Sequence, residues 1–299
     1  MKAFSQLSLF HINPSSVPSI NIWETSLQKH AIPLLLDLSM AEQGFAPPYD
    51  FSDQMVITAQ NSWKIQLRKE KRLLPTSVLR QESERRIKEI EEKEHRQLSI
   101  KDKKALKQRV LDELLPRAFS QTSTIEAIYI SDKGFLLVNQ AQANKREELL
   151  SYLRQALGSF EAALISCDKA ATDLMSQWLL DDGSLPNDLV IGNYCELKNI
   201  ANIKSVSRFV NQDIQSKEVV GILKKDHFVS QLAFIWQDKL RFILCEDFSL
   251  KSIQYVEKQQ AIEIDPNDAL TFQWLFAQDL TSLYEILIKA AGGLKRDEY

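Results

Sequence analysis

Residues 80–120 read RQESERRIKEIEEKEHRQLSIKDKKALKQRVLDELLPRAFS, and the folding of this stretch decides how the rest of the chain is arranged. Between Arg80 and Gln97 the only apolar side chains are Ile87 and Ile90, too thin a stripe for a helix lying deep in a core. A helix here is expected to stand out from the body. Ser99-Ile100-Lys101-Asp102 has the order of a capping box, in which the hydroxyl accepts from an orphan N–H and the acid three residues on reaches back. A second helix is therefore predicted from Ile100. Ile100, Leu106, Val110, Leu111, Leu114 and Leu115 keep helical spacing, and Pro116, which lacks an N–H, ends the run near Leu115. The expected product is a projecting helical hairpin inserted into the chain.

The flanks read as sheet with helices. On the N-terminal side, Phe4 to Ile12 alternates as a strand, Ile20 to His30 has helical spacing, and Gly44-Phe45-Ala46-Pro47-Pro48 reads as a loop. Met55 to Ala59 and Trp63 to Leu67 form a predicted hairpin that runs into Arg68-Lys69-Glu70-Lys71-Arg72, closed by Pro75. After the insertion come strands at Thr124 to Ile130 and Phe135 to Val138. A helix over 143–157 follows, stopped by Gly158. A short helix from Ala171 to about Asp181 leads to a second sheet, with strands at Leu189–Leu197, Ile203–Val210, Phe228–Trp236, Leu240–Glu246 and Leu250–Tyr255 and a helix near Gln215–Leu223. A long apolar helix over Ala269–Ala291 ends at Gly292-Gly293. The predicted fold class is α+β, with mixed, mainly antiparallel sheets and flanking helices. Residues 1–78 and 118–165 make a central body, 79–117 a helical tip and 166–299 a C-terminal base.

Charge is polarised. The 299-residue chain carries a formal net charge of -3, yet residues 64–109 hold 16 Lys and Arg against 8 Asp and Glu, leaving -11 for the remainder. Such asymmetry focuses positive potential on one region while the acidic remainder repels polyanions. A solvated helix pair with charges matched at i, i+4 is the plainer reading of the same residues. Cys167, Cys195 and Cys245 are odd in number and widely spaced, as expected of reduced, buried thiols. Without an apolar leader or a membrane-length run, the expected location is cytoplasmic.

A search for chemistry finds no enzymatic motif. His11, His30, His95 and His227 are isolated from any metal-ligand spacing. Asp181-Asp182 and Glu246-Asp247 sit beside predicted turns, and no glycine-rich phosphate loop or G-x-S-x-G occurs. The chain is therefore expected to be no enzyme and to take no cofactor. What remains is Arg117 and Phe119, where the basic hairpin meets a sheet. Two readings stand for Phe119: the first core residue of the next strand, or an exposed aromatic that wedges against or stacks on bases while Arg117 contacts phosphate.

The run Leu114-Leu115-Pro116-Arg117-Ala118-Phe119-Ser120 resembles the signature of the bacterial recombination-associated RdgC family. Gly44-Phe45-Ala46-Pro47-Pro48, Trp236-Gln237, Phe242, Cys245-Glu246-Asp247, Ser249-Leu250-Lys251 and Gly292-Gly293 follow in the same order, so the resemblance covers nearly the full length. It implies a protomer of centre, tip and base. Two such protomers would join at both ends into a ring-shaped homodimer around double-stranded DNA, bound without sequence preference and associated with the nucleoid. It also implies restraint of RecA-driven recombination, with RecA either touched directly or kept off DNA. Arg96 matches a basic position on the tip, Arg117 and Phe119 match the signature, and Asn211-Gln212 match a Lys-Gln pair at an interface, where Asn211 removes a charge. The expected DNA-contacting residues are thus Arg68, Lys69, Lys71, Arg96, Lys101, Lys104, Arg117 and Phe119, and the expected dimer contacts Phe119, Asn211 and Gln212. The rival reading is a protein-interaction adaptor whose charged hairpin docks on a partner; a nuclease would need the acid pairs to converge on a metal.

Overall fold

The computed structural model describes residues 4–256 and 265–295. Its strands are β1 (Gln6–Ile12), β2 (Ala41–Ala46), β3 (Ile57–Ala59), β4 (Ser62–Leu73), β5 (Phe119–Ile130), β6 (Phe135–Val138), β7 (Ala162–Leu164), β8 (Leu189–Asn199), β9 (Val206–Val210), β10 (His227–Trp236), β11 (Leu240–Cys245) and β12 (Leu250–Tyr255). Its helices are α1 (Ile20–Lys29), α2 (Thr76–Glu94), α3 (Ile100–Leu114), α4 (Ala143–Leu157), α5 (Ala171–Leu180), α6 (Lys217–Leu223) and α7 (Pro266–Ala290). Ladders between these strands are antiparallel throughout, as the α+β reading expects.

The two sheets read from the sequence are one. Strands follow in the order β2-β4-β5-β6-β1-β12-β11-β10-β8-β9, and β1 is the seam. Ser8 to His11 pair with β6, while Gln6 and Leu7 pair with Lys251 and Leu250 of β12. Alternation then gives β1, β5 and β6 a different core on each face. Leu7, Leu9, Ile128, Ile130 and Leu137 join a large core shared with α5, α7 and the C-terminal strands. Phe10, Ile12, Ala127, Tyr129, Leu136 and Val138 enter a smaller core closed by Trp23 and Leu27 of α1 and Leu149, Leu150 and Leu153 of α4. Trp23, fully buried, stacks on Tyr129 with ring centroids 5.9 Å apart and meets Trp63 and Phe160 edge-on.

The loop expected at Gly44–Pro48 is corrected: Gly44, Phe45 and Ala46 lie in β2, paired with Arg68, Leu67 and Gln66 of β4. Glycine is required because a Cβ at position 44 would lie 2.5 Å from the Ile32 backbone, so the chain crosses there at backbone contact. Helix α7 reaches across the seam. The buried side chain of Gln273 donates to the carbonyls of Ile57 (3.2 Å) and Ser62 (3.3 Å) and accepts from the Tyr49 hydroxyl at 3.1 Å. A second tie is Arg146 of α4, whose guanidinium donates to Ser8 Oγ at 3.0 Å and to Asp247 Oδ2 at 2.8 Å. The three cysteines are free and buried, and burial pushes the Cys195 thiol up to about 12 and the Cys167 thiol up to about 11.

Candidate nucleic-acid interface

The helices predicted from residues 80–120 form as α2 and α3, and each buries a single residue, Ser83 and Val110. Helix α2 ends at His95, whose φ of 52° is left-handed and breaks the ladder. Helix α3 starts at the predicted cap: Ser99 Oγ accepts from the Asp102 N–H at 3.2 Å and donates to its carboxylate at 2.7 Å. Glu91 ties the two helices together, accepting from Leu98 N at 2.8 Å and pairing with Lys103 at 3.0 Å, and Arg86 crosses to Glu113 at 2.6 Å. After Leu114 the chain makes one 3-10 turn over Leu115–Arg117, as Pro116 demands, and enters β5 at Phe119.

Contacts divide the basic residues into two groups. Arg80, Arg85, Arg86 and Arg96 spend their charge inside the hairpin, on Glu84, Glu82 and Glu89, Glu82 and Glu113, and Glu94. The bonds from Arg85 and Arg86 hold the Glu82 carboxyl down at about 2. Lys101, Lys104, Lys107 and Arg109 on α3, and Arg117 at its root, make no ion pair among the described residues and are exposed. These cations are available to an anion without first giving up a partner. Arg96 must release Glu94.

Strand alternation separates the three residues taken from β4. Lys69 and Lys71 lie on the face covered further along by α4, while Arg68 lies on the other face, its buried Nε without a hydrogen-bond partner among the described residues. Arg72, one pair from the end of the ladder, donates to the carbonyls of Pro116 (3.4 Å), Ala118 (3.5 Å) and Leu36 (3.4 Å), fixing the hairpin root to the loop before β2. Phe119 pairs with Leu73 as the last rung and is 84% exposed, which excludes the core reading. Leu34, Leu36, Leu38 and Met40 are exposed in the loop that Arg72 holds against this root. Asn211 and Gln212 are exposed just beyond β9, at the opposite end of the strand order from β4 and β5, so the structure does not bring them to Phe119. Asn211 takes φ 55°, with its side-chain oxygen accepting from Asn193 at 2.8 Å.

Sequence reasoning missed Lys145 and Glu148 in the first turns of α4. They close a cavity of about 80 Å³ with Gln43, Lys69, Ser123 and Gln140, and both Lys69 and Lys145 lie 3.2 Å from the Glu148 carboxylate. Only their nearness to β4 in space, which the linear pattern does not carry, makes them part of this surface.

A continuous antiparallel sheet, two cores and a basic helical pair entered and left by neighbouring strands define an α+β protein with a charged helical insertion. The chain belongs to the RdgC family, whose model, described as "Putative exonuclease, RdgC", matches residues 3–294. A recombination-associated protein RdgC of Neisseria meningitidis is 35% identical over 295 residues, covering 97% of this chain and 98% of the relative. The proteins of that name from Laribacter hongkongensis and a Shewanella species are 31% and 30% identical, covering 97% and 99% of this chain and 98% and 99% of their own length.

The family description corrects the expectation of a chain without enzymatic activity, since it carries an exonuclease. Contiguous motifs are the enzymatic signal that a linear sequence carries, and residues that meet only in a fold leave none. Of the acid pairs, Glu246 binds Lys198 at 2.9 Å and Asp247 binds Arg146. Among the described residues no group of three His, Cys, Asp or Glu side chains is arranged to hold a metal ion, and no helix is long and apolar enough to cross a membrane.

Proposed function

We propose that this protein binds double-stranded DNA without sequence preference as a homodimer whose copies meet at both ends to close a ring, and that by occupying duplex it restrains RecA-driven recombination at the nucleoid. The observation that carries the reading is the set of exposed cations without an ion pair among the described residues on α3 and at its root, Lys101, Lys104, Lys107, Arg109 and Arg117, beside arginines of the same hairpin that are paired with its own glutamates. Phosphate contacts of this kind give affinity and register but no base readout. In this reading residues 1–78 with 118–165 form the centre, 79–117 the tip and 166–299 the base. Phe119, with Leu73 and the leucines of the 34–40 loop, supplies apolar surface for the contact at the tip end, and Asn211 with Gln212 lies at the other end.

Charge reversal at Arg96, Lys101 and Lys104 together is expected to weaken binding by the same factor on unrelated duplexes. It should also flatten the salt dependence by about 0.9 in log–log slope for each phosphate that is no longer neutralised. A weakening confined to one sequence would reinstate base readout. Phe119→Ala should change folding stability by less than about 0.5 kcal/mol, because the ring is exposed and leaves no cavity. Its dissociation from closed circular DNA should nevertheless accelerate more than dissociation from a short linear duplex. Equal acceleration on both substrates would argue against topological retention.

The adaptor reading draws on the exposed Leu34, Leu36, Leu38 and Met40, which suit a protein partner as well as a second copy. Sedimentation with and without duplex decides between them: a dimer whose mass rises with duplex supports the ring, and a monomer indifferent to DNA supports the adaptor. Because the family description names an exonuclease, the same samples are incubated with Mg²⁺ and end-labelled DNA, so that shortening from the ends registers beside binding.

A further inference from the structure

On the sheet face that carries Lys69 and Lys71 of β4 and Phe119 of β5, the rows outside the smaller core follow one another at the sheet's two-residue repeat. Gln43, Lys69 and Ser123 form one row across β2, β4 and β5, and Ala41, Lys71 and Gln121 form the next. Lys69 and Lys71 are therefore about 7 Å apart along the strand. Helix α4 brings Lys145 against the first row, and the cavity between them is walled by Ser123, Gln43 and Gln140. Within it the carboxylate of Glu148 lies 3.2 Å from both Lys69 Nζ and Lys145 Nζ. Burial pushes this carboxyl up, but donation from Lys69, Lys145 and Gln43 outweighs it and keeps the group below its ordinary range. It is thus an anion at neutral pH, and the site is built around one negative group held by two ammonium ions at the start of a helix whose N-terminal end adds positive potential.

We propose that Lys69 and Lys145 form a subsite for a DNA backbone phosphate, with Lys71 serving the next, and that Glu148 occupies the subsite as an internal competitor when no DNA is bound. This inference rests on the duplex-binding reading. A phosphate entering the cavity takes over both lysines and leaves Glu148 to solvent on its exposed side. Affinity is thereby held below what the lysines alone would give, and phosphates can be released one at a time as the protein moves along a duplex. The sequence-neutral character is kept, since no base edge is involved.

The test is duplex binding over a range of salt concentrations by wild type, Glu148→Gln and Lys145→Gln, with thermal unfolding run on each. Glu148→Gln should bind a duplex of arbitrary sequence several-fold more tightly at low salt with the log–log slope unchanged, because the same phosphate is neutralised in both complexes and only the competitor is gone. Lys145→Gln, at a partly exposed position whose substitution should leave the fold intact, leaves Lys69 paired with Glu148 and should weaken binding and flatten the slope by about 0.9, the increment for one phosphate no longer neutralised. If wild type binds and both variants track it in affinity and slope, the competitor is overturned while duplex binding stands. Wild type that binds no duplex overturns both.

Discussion

Phe276→Ala should lower folding stability by about 3 to 5 kcal/mol, read as a fall in the denaturant midpoint at unchanged slope. The ring is 2% exposed and meets Phe4 edge-on at 5.4 Å, stacks on Phe272 at 5.8 Å and reaches Tyr255 at 6.2 Å. It therefore fills the place where α7 joins the N-terminal segment to β12. Truncation leaves a void bounded by ordered aromatics and strands, which collapse poorly, so the loss falls at the large end of the scale. A domain's net stability is on the order of 5–15 kcal/mol, so about a fifth of it or more is at stake. A loss under about 1 kcal/mol would mean that α7 is not anchored through this residue.

Arg146→Ala is expected to cost about 3 kcal/mol for a different reason. It removes the partner of Asp247 and the donor to Ser8, and a carboxylate largely screened from water is left unpaired. Replacing both Arg146 and Asp247 with Leu should recover much of the loss, because no unmatched charge remains. A double variant as unstable as the single one would contradict this account. The sign of the pH dependence follows from Asp247. Burial raises its pKa, but bonds from Ser249 and Arg146 outweigh that and hold it below the ordinary value. Its contribution is then fully present above the unfolded value of about 3.9 and is lost as pH falls through the lower folded value. Acid titration of Arg146→Ala should show a weaker fall over that range than wild type.

Much of this was legible in the chain because the deciding signals were local. Ser99 and Asp102 specify the start of α3 through their own hydrogen bonds, Pro116 its end, and Gly158, at φ 84°, the stop of α4. Strand β2 was hidden because Ala41–Ala46 neither alternates nor stands clear of Pro47-Pro48, and its glycine is explained only by the Ile32 backbone crossing it. The three residues of β7 are too few to carry a period. The merging of two sheets rests on Gln6 and Leu7 meeting Lys251 and Leu250, a pairing between distant segments that no window can contain. At the candidate interface the position of positive charge was readable but its availability was not. Arg96 and Lys101 look alike in sequence, yet only the fold gives Arg96 a carboxylate partner.

The ribbon beneath the hairpin has a mechanical consequence. Because α2 leaves from Leu73 and α3 returns to Phe119, which are paired rung to rung, a pull on the helices draws β4 and β5 in the same direction. That load does not unzip their shared ladder. It is borne in shear along the outer borders, by the six pairs to β2, the three to β3 and the four to β6, which are stressed together rather than in succession. Shear of parallel rungs is the stiff direction of a sheet, so the root of the insertion behaves as a cantilever clamp. Compliance is left to the short segment between His95 and Ser99, and load carried by β6 reaches the β1 seam through the four pairs these two strands share.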